Sequence, residues 1–294
     1  MSITSAMYTG VSGLLANAEG INVIGNNLSN VNTIGFKYGR MLFSDMLSAD
    51  VGNGSQIGRG TQIQKVDNVF GQSSFEQTEV VTDLAIQGNS FFALGKPGGD
   101  AQVTAQSEAF LTRAGAFRTD GDLYLVNPDG YQLLDTNGDP IQFFSNDGAT
   151  AGDFAKVSAV NSEGLITYVD VNGDTYYYTA ANTVGVATST DPDTSSYQKV
   201  AVINPANPGV LVKVGGTLFQ NANGSGISTG GFSIANNKAN GTSEKLFSNN
   251  LEQSNVDMAA QFVKMILTQR AYSANAKTIT TSDEMTQEVI NLKR

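Results

Sequence analysis

The chain contains no cysteine, no histidine and no tryptophan. Without Cys or His there is no thiol nucleophile, no imidazole base, no Ser–His triad and no ordinary zinc site. Carboxylates, lysine, tyrosine and hydroxyls are the chemistry that remains. Lack of Cys also removes disulfides, so stability must come from packing or from association. Charge is scarce, at 15% of 294 residues, and its net value of −10 argues against nucleic acid as the main partner. No run of eighteen apolar residues occurs, so no membrane insertion is expected. The opening MSITSAMYTG lacks a basic region and a continuous apolar stretch, so no secretory signal is expected there.

What is present is 40% apolar residues, enough for a core, and 32 glycines, which favour strands and turns over helix. The charge is unevenly placed. Residues 1–40 hold Glu19, Lys37 and Arg40, a net of +1, and residues 254–294 hold five basic and four acidic residues, again +1. The middle therefore carries −12.

Both ends read as long helices. Over 3–31, Met7, Val11, Leu14, Ala18, Ile21, Gly25 and Leu28 step alternately by four and three, an a/d seam held for three heptads. "NTIGF" at 32–36 ends this helix, with Gly35 as a candidate left-handed cap. At the other end Ser254 and Asp257 in "SNVD" form a capping-box-like start. Met258, Phe262, Met265, Gln269, Tyr272, Ala276 and Ile279 then repeat the same step, with no Pro or Gly from 254 to 294, and the helix is expected to run to about Asn291. An intramolecular pair is the bland reading of two such helices. The non-seam positions of 3–31 weigh against it as the whole account: most are Ser, Thr, Gly, Asn and Ala, and Glu19 is their one charge. Small neutral side chains let helices approach closely and cost little to desolvate, and depletion of charge marks an interface core. Asn26 and Asn27 are candidates for hydrogen bonds that fix register between helices.

Between the ends the sequence reads as β. "LYLVNPDGYQLLDTNGDPIQFF" (123–144) is two apolar runs broken by turn signals, and "LITYVDVNGDTYYYTA" (165–180) is a hairpin with Asn172-Gly173 at its tip. "YQKVAVIN" and "GVLVKVGGTLF" (197–219) are further strands, and 181–196 reads as a loop. The expected fold class is α+β: long N- and C-terminal helices forming a coiled-coil-like pair, with a central, mainly antiparallel β body.

Candidate chemical motifs fail on inspection. Asp135-x-Asn137-x-Asp139 and Asp170-x-Asn172-x-Asp174 open like calcium loops. Their sixth positions are Pro140 and Thr175 instead of Gly, and their twelfth are Asn146 and Ala181 instead of Glu; hairpin turns explain both. "GNGSQIGRG" (52–60) lacks the Gly-Lys-Ser/Thr ending of a phosphate loop. Glu76 with Glu79, or Asp120 with Asp122, are conceivable carboxylate pairs for glycoside chemistry, with solvated turn residues the commoner explanation. Tyr176-Tyr177-Tyr178 offers a sugar platform on paper, but adjacent strand residues face opposite sides. No catalytic constellation, metal site or cofactor site is expected, and the chain is read as a non-enzyme.

"VSGLLANAEGINVIGNNLSNVNTIGFK" (11–37), "TDLAIQGNSFF" (82–92), "LTRAGAFRTDGDLYLVNPDGYQLL" (111–134), "INPANPGVLVKVGGTLFQNANGSG" (203–226) and "LEQSNVDMAAQFVKMILTQRAYSANAKTITTSDEMTQEVINLKR" (251–294) together resemble the bacterial flagellar axial proteins, the rod and hook subunits. Five stretches in the family's order cover most of the chain. The ending "SDEMTQEVINLKR" resembles hook endings more than rod endings, which makes a hook subunit with a reduced outer domain the first expectation. The alternatives are a distal rod subunit and, further off, a secreted binding protein with a coiled-coil stalk.

The resemblance implies a helical homopolymer whose partners are copies of itself and other axial proteins (rod, hook–filament junction, hook cap). It implies a place in the hook or basal body of the external flagellum, reached by export without a cleaved signal. The implied segments are 1–40 and 246–294 for the helices of an inner tube domain, 41–85 for a connecting loop or hairpin region, 86–145 and 200–245 for the β body, and 146–199 for a reduced outer insertion. The assembly surface would comprise Met7, Val11, Leu14, Ala18, Ile21, Asn26, Asn27 and Leu28 with Met258, Phe262, Met265, Gln269, Tyr272, Ala276 and Ile279.

Overall fold

The computed structural model describes residues 3–52, 55–98, 102–143, 154–178, 197–239, 241–242 and 244–292. The loop read at 181–196 lies outside the described residues. The chain divides into two compact units, Met1–Asn32 with Lys37–Val69 and Val256–Arg294, and Thr33–Phe36 with Phe70–Asn255.

The first unit holds both long helices. The N-terminal helix spans Ile3–Ser29 and the C-terminal helix Met258–Leu292. At the end of the first, the Asn30 N–H reaches the carbonyls of both Asn26 and Asn27 at 3.2 Å. Gly35 has the left-handed φ of 67° expected of it, but it lies beyond this end and serves a separate turn, where the Phe36 N–H bonds the Thr33 carbonyl. The C-terminal helix is capped by Asp257: its Oδ1 accepts the Ala260 N–H at 3.1 Å, so Asp257 is the N-cap residue and Ser254 lies outside the helix. A β ribbon completes the unit. Strand β1 (Gly39–Asp45) pairs with β4 (Thr61–Asn68), and β2 (Ala49–Gly52) pairs with β3 (Ser55–Ile57) between them, all antiparallel.

The second unit carries the remaining strands: β5 (Phe75–Gln77), β6 (Leu84–Gln87), β7 (Phe91–Gly95), β8 (Phe110–Thr112), β9 (Arg118–Thr119), β10 (Leu125–Val126), β11 (Gln132–Leu133), β12 (Phe154–Val160), β13 (Ile166–Asp170), β14 (Thr175–Tyr177), β15 (Val202–Ile203), β16 (Val212–Gly215), β17 (Leu218–Gln220), β18 (Lys245–Ser248) and β19 (Asn250–Glu252). Its main sheet runs β16-β17-β8-β7-β11-β10-β9, with β15 also paired to β7.

Strand β7 explains the core. Its residues alternate between two apolar clusters, Phe92 and Leu94 in one and Phe91 and Ala93 in the other, so it is covered on both faces. A continuous apolar run is what such a strand requires, and each buried phenylalanine contributes about 2–3 kcal/mol of transfer free energy. The β12–β14 sheet joins the first cluster through Val157, Val160, Ile166 and Tyr168. Phe143 stacks on Phe154 at 4.5 Å.

Hairpin turns in this unit repeat one design. Asp120, Asn127, Asp135, Asn161 and Asp170 each use Oδ1 to accept backbone N–H groups two and four residues on. The fourth residue of each turn has positive φ: Leu123, Gly130, Gly138, Gly164 and Gly173. The calcium-like spacing of 135–139 and 170–174 is therefore turn chemistry, and the carboxylate oxygen that would meet a cation is already bonded to backbone. Asp120, weighed above as a catalytic carboxylate, is committed in the same way.

Candidate assembly interface

The two helices lie antiparallel, and glycines set how closely. A Cβ built on Gly10 would sit 2.9 Å from Ile279 Cγ1, one on Gly13 would sit 2.8 Å from Asn275 Nδ2, and one on Gly20 would sit 3.3 Å from Thr268 Cγ2. Asn27 completes the stripe. Its Nδ2 donates to the Gly39 carbonyl at 2.8 Å and to Gln261 Oε1 at 3.3 Å, and its Oδ1 accepts the Gly39 N–H at 2.8 Å. Asn27 and Gln261 are both buried. A satisfied polar pair in a low-dielectric contact penalises any shift in register, because a slip leaves both groups unbonded.

This contact differs from the expected one by one residue on each helix. Gly10, Gly13, Gly20 and Asn27 stand one position before Val11, Leu14, Ile21 and Leu28. Gln261, Thr268 and Asn275 stand one before Phe262, Gln269 and Ala276. One residue is about 100° of helix rotation. The intrachain contact is thus built largely of small and polar residues, with the seam's Ile279 set against Gly10, and most of the apolar seam lies to one side of it.

The seam residues are placed accordingly. Val11 and Asn26 are exposed, Met7, Leu14, Ala18, Ile21 and Leu28 are half-buried, and Asn27 is buried. On the C-terminal helix Met258, Phe262, Gln269 and Tyr272 are exposed, and Met265, Ala276 and Ile279 are half-buried. Exposure extends past the seam to Val263, Ile266 and Leu267. So much apolar surface on one helix is more than a solvated face needs. The glycine stripe was missed because hydrophobic periodicity gives glycine no weight. Its signal is the seven-residue recurrence of Gly13 and Gly20, with Gly10 three before.

The β unit holds a buried ion pair. Arg113 Nη1 lies 3.3 Å from Glu252 Oε2, its Nη2 donates to the Gly88 carbonyl at 2.6 Å, and its guanidinium stands 4.9 Å over the Phe91 ring. Burial pulls the guanidinium's pKa down, and the Glu252 carboxylate pushes it back. Glu252 Oε1 also accepts the Ser73 N–H at 3.0 Å. The tyrosine run splits between faces: Tyr176 stacks on Tyr168, Tyr177 stacks on Tyr197, and Tyr178 is buried with its hydroxyl donating to Asp135 Oδ2 at 3.1 Å. Burial raises the pKa of Asp135 to about 6, against the pull of the backbone N–H groups it accepts.

Among the described residues nothing resembles a reaction centre, and the apolar helix faces are the feature that calls for a partner. Three family models match in the order of the chain: flagella basal body rod protein at residues 7–37, flagellar hook protein FlgE/F/G D1 domain at 85–168, and flagellar basal body rod FlgEFG protein C-terminal at 248–292. The flagellar basal-body rod protein FlgG of Bacillus subtilis is 33% identical, covering 98% of this chain and 99% of its own. The chain belongs to the flagellar rod and hook protein family. A rod protein FlgG from Borreliella burgdorferi is 30% identical over 98% of both chains, and the hook protein FlgE of the same organism is 26% identical over 98% of this chain and 99% of its own. The protein is an axial structural component of the flagellum, and its non-enzymatic character follows from the structural nature of these relatives. Among the described residues no helix is long and apolar enough to cross a membrane.

Proposed function

We propose that the chain is a rod-type axial subunit that polymerises head to tail, packing its terminal helices against those of neighbouring copies. The observation that carries the rod reading is length. The Bacillus rod protein aligns end to end over 301 positions, whereas the hook protein needs 453 positions to match these 294 residues. That hook protein therefore contains long stretches with no counterpart here. The compact β12–β14 sheet, packed into the body's own core, supports the same reading.

In this reading the apolar seam supplies the contacts between copies, with Met7, Val11, Leu14, Ala18, Ile21 and Leu28 on one helix and Met258, Phe262, Met265, Tyr272, Ala276 and Ile279 on the other. Asn26 and Gln269 stand at its polar margin, and Asn27 holds the register of each subunit's own pair. Head-to-tail contacts between unlike surfaces generate an open helical polymer. The helical unit forms the tube, the β unit contributes wetter contacts, and the assembled shaft transmits torque. Neighbouring axial proteins are its other partners, and flagellar export brings it to its place.

A hook subunit remains the second reading, favoured by the ending "SDEMTQEVINLKR". Electron microscopy of the purified polymer separates the two. Short straight tubes are expected of a rod subunit, and long curved tubes would sink the rod reading in favour of the hook.

A further inference from the structure

An open groove of about 490 Å³ runs along the outer side of the N-terminal helix, lined by Tyr8, Val11 and Leu15 from the helix and by Met46 and Arg59 from the ribbon. Tyr8 and Leu15 are 75% and 61% exposed. The groove is apolar apart from two serines and one cation, Arg59. The partner that fits is an apolar helix face carrying an acid.

The C-terminal helix offers two exposed apolar faces, and charge separates them. From Met258 to Lys277 its charged residues are Lys264, Arg270 and Lys277, all basic. From Thr278 to Leu292 they are Asp283, Glu284 and Glu288, all acidic. The acidic half carries Met285, Val289 and Leu292, spaced four and three apart on one face and all more than half exposed, with Glu288 beside them. This half also overhangs its own partner. Gly10 already meets Ile279, so the antiparallel N-terminal helix, which starts at Ile3, runs out before Gln287–Leu292.

We infer that the groove of one copy receives the last turns of the C-terminal helix of a second copy, Met285, Val289 and Leu292 entering among Tyr8, Val11 and Leu15 while Glu288 pairs with Arg59. The inference rests on the self-assembly reading and names the two surfaces that mate. They are unlike and lie on one unit, so each copy offers both, and with a rotation that does not close the contact propagates as an open helix. The basic half of the helix is excluded because it would set Lys264 or Arg270 against Arg59.

The chain has no native cysteine, so engineered thiols report this contact directly. Leu15 lies near the level of Ser273 on its own chain's C-terminal helix, which puts its own Val289 roughly 20 Å or more away along the axis. A disulfide between these positions must therefore join two copies. Full-length chain carrying Leu15→Cys and Val289→Cys, polymerised and then oxidised, is expected to give a ladder of dimers, trimers and longer species on non-reducing gels. Arg59→Glu is expected to weaken polymerisation, and adding Glu288→Arg to restore it. Polymers that form normally but give no ladder, or a ladder from Leu15→Cys with Ile266→Cys instead, would overturn the inference and leave self-assembly standing. Failure of the cysteine-free parent to polymerise would overturn the assembly reading and this surface with it.

Discussion

Gly13 faces Asn275 across the helix pair so closely that a Cβ on the glycine would stand 2.8 Å from the asparagine's Nδ2. Gly25, on the same helix, has nothing within 4 Å of its would-be Cβ. The two glycines should therefore respond oppositely to one substitution. Gly25→Leu removes a helix-weakening residue and is expected to stabilise the helix by about 0.8 kcal/mol. Gly13→Leu gains the same propensity but forces the pair apart, so net destabilisation is expected. Thermal melts followed by circular dichroism at 222 nm on the isolated chain measure both. Equal stabilisation at the two sites would mean that the pair does not form in solution.

The seam next to that stripe should behave as a surface for other copies. Val11→Asp, Leu14→Asp and Ile21→Asp each place a charge where an apolar contact is expected, and desolvating an unpaired carboxylate costs several kcal/mol. Assembly, followed by sedimentation, should be lost. The near-ultraviolet signal of the β unit, whose tyrosines lie outside the helices, should be retained. Normal polymers from all three variants would exclude the seam from the contact.

Arg113 and Glu252 test a different part of the molecule. Removing one partner leaves a charge buried without compensation, at a cost of about 3–5 kcal/mol, whereas replacing both removes the problem. Glu252→Gln is therefore expected to destabilise the β unit more than Glu252→Gln combined with Arg113→Met. The glutamine keeps an acceptor for the Ser73 N–H in both variants. Denaturant unfolding of the two singles and the double gives the coupling. A double variant less stable than either single would show that the pair stabilises beyond mutual compensation.

Asp135 makes the β unit sensitive to pH in a direction opposite to most carboxylates. Its folded-state pKa is raised from the ordinary 3.8 to about 6. The folded state thus holds a proton that the unfolded state releases, and this group's contribution is present below about pH 4 and lost as pH rises through 6. The shift corresponds to about 3 kcal/mol. Asp135→Asn keeps an acceptor for the Asn137 and Asp139 N–H groups and cannot ionise. The stability difference, variant minus parent, should grow by roughly that amount between pH 4 and pH 7 in urea titrations. A difference flat across this range would show that Asp135 is solvated enough to ionise freely.

Much of this was legible in the residues, and the limits have physical causes. The helix spans were readable because apolar periodicity persists over many turns in both, and in the C-terminal one neither Pro nor Gly interrupts it. The helix faces were not, because Val11 and Phe262 report only which side avoids water, whereas the intrachain contact is made by Gly10, Gly13 and Gln261, which carry no hydrophobic signal. The Asn172-Gly173 hairpin was readable from local turn chemistry. The pairing of β6 with β18 and of β5 with β19 was not, since such contacts join residues more than 150 positions apart and leave no local trace. The family resemblance assigns 146–199 to a reduced outer insertion, as the one stretch of the β region left for it. Its described part, including Val157, Val160, Ile166 and Tyr168, is core, and this follows from packing that no single stretch reveals.

The repeated turn gives a final comparison within one design. Gly138 and Gly173 hold the same position in their turns, with φ of 86° and 93°. Alanine at either must adopt a left-handed conformation, at about 1–2 kcal/mol. At Gly173 that is the whole cost, since nothing lies within 4 Å of the added Cβ. At Gly138 the Cβ would also collide with the Val103 carbonyl and approach the Phe232 ring, so backbone must move and the second apolar cluster, to which Val103 and Phe232 belong, must loosen. Gly173→Ala should therefore lower stability by about 1–2 kcal/mol with no change in m-value, and Gly138→Ala should cost distinctly more. Equal losses in urea would mean that the Val103 segment yields without resistance and that the turn at 135–139 is not anchored to the core.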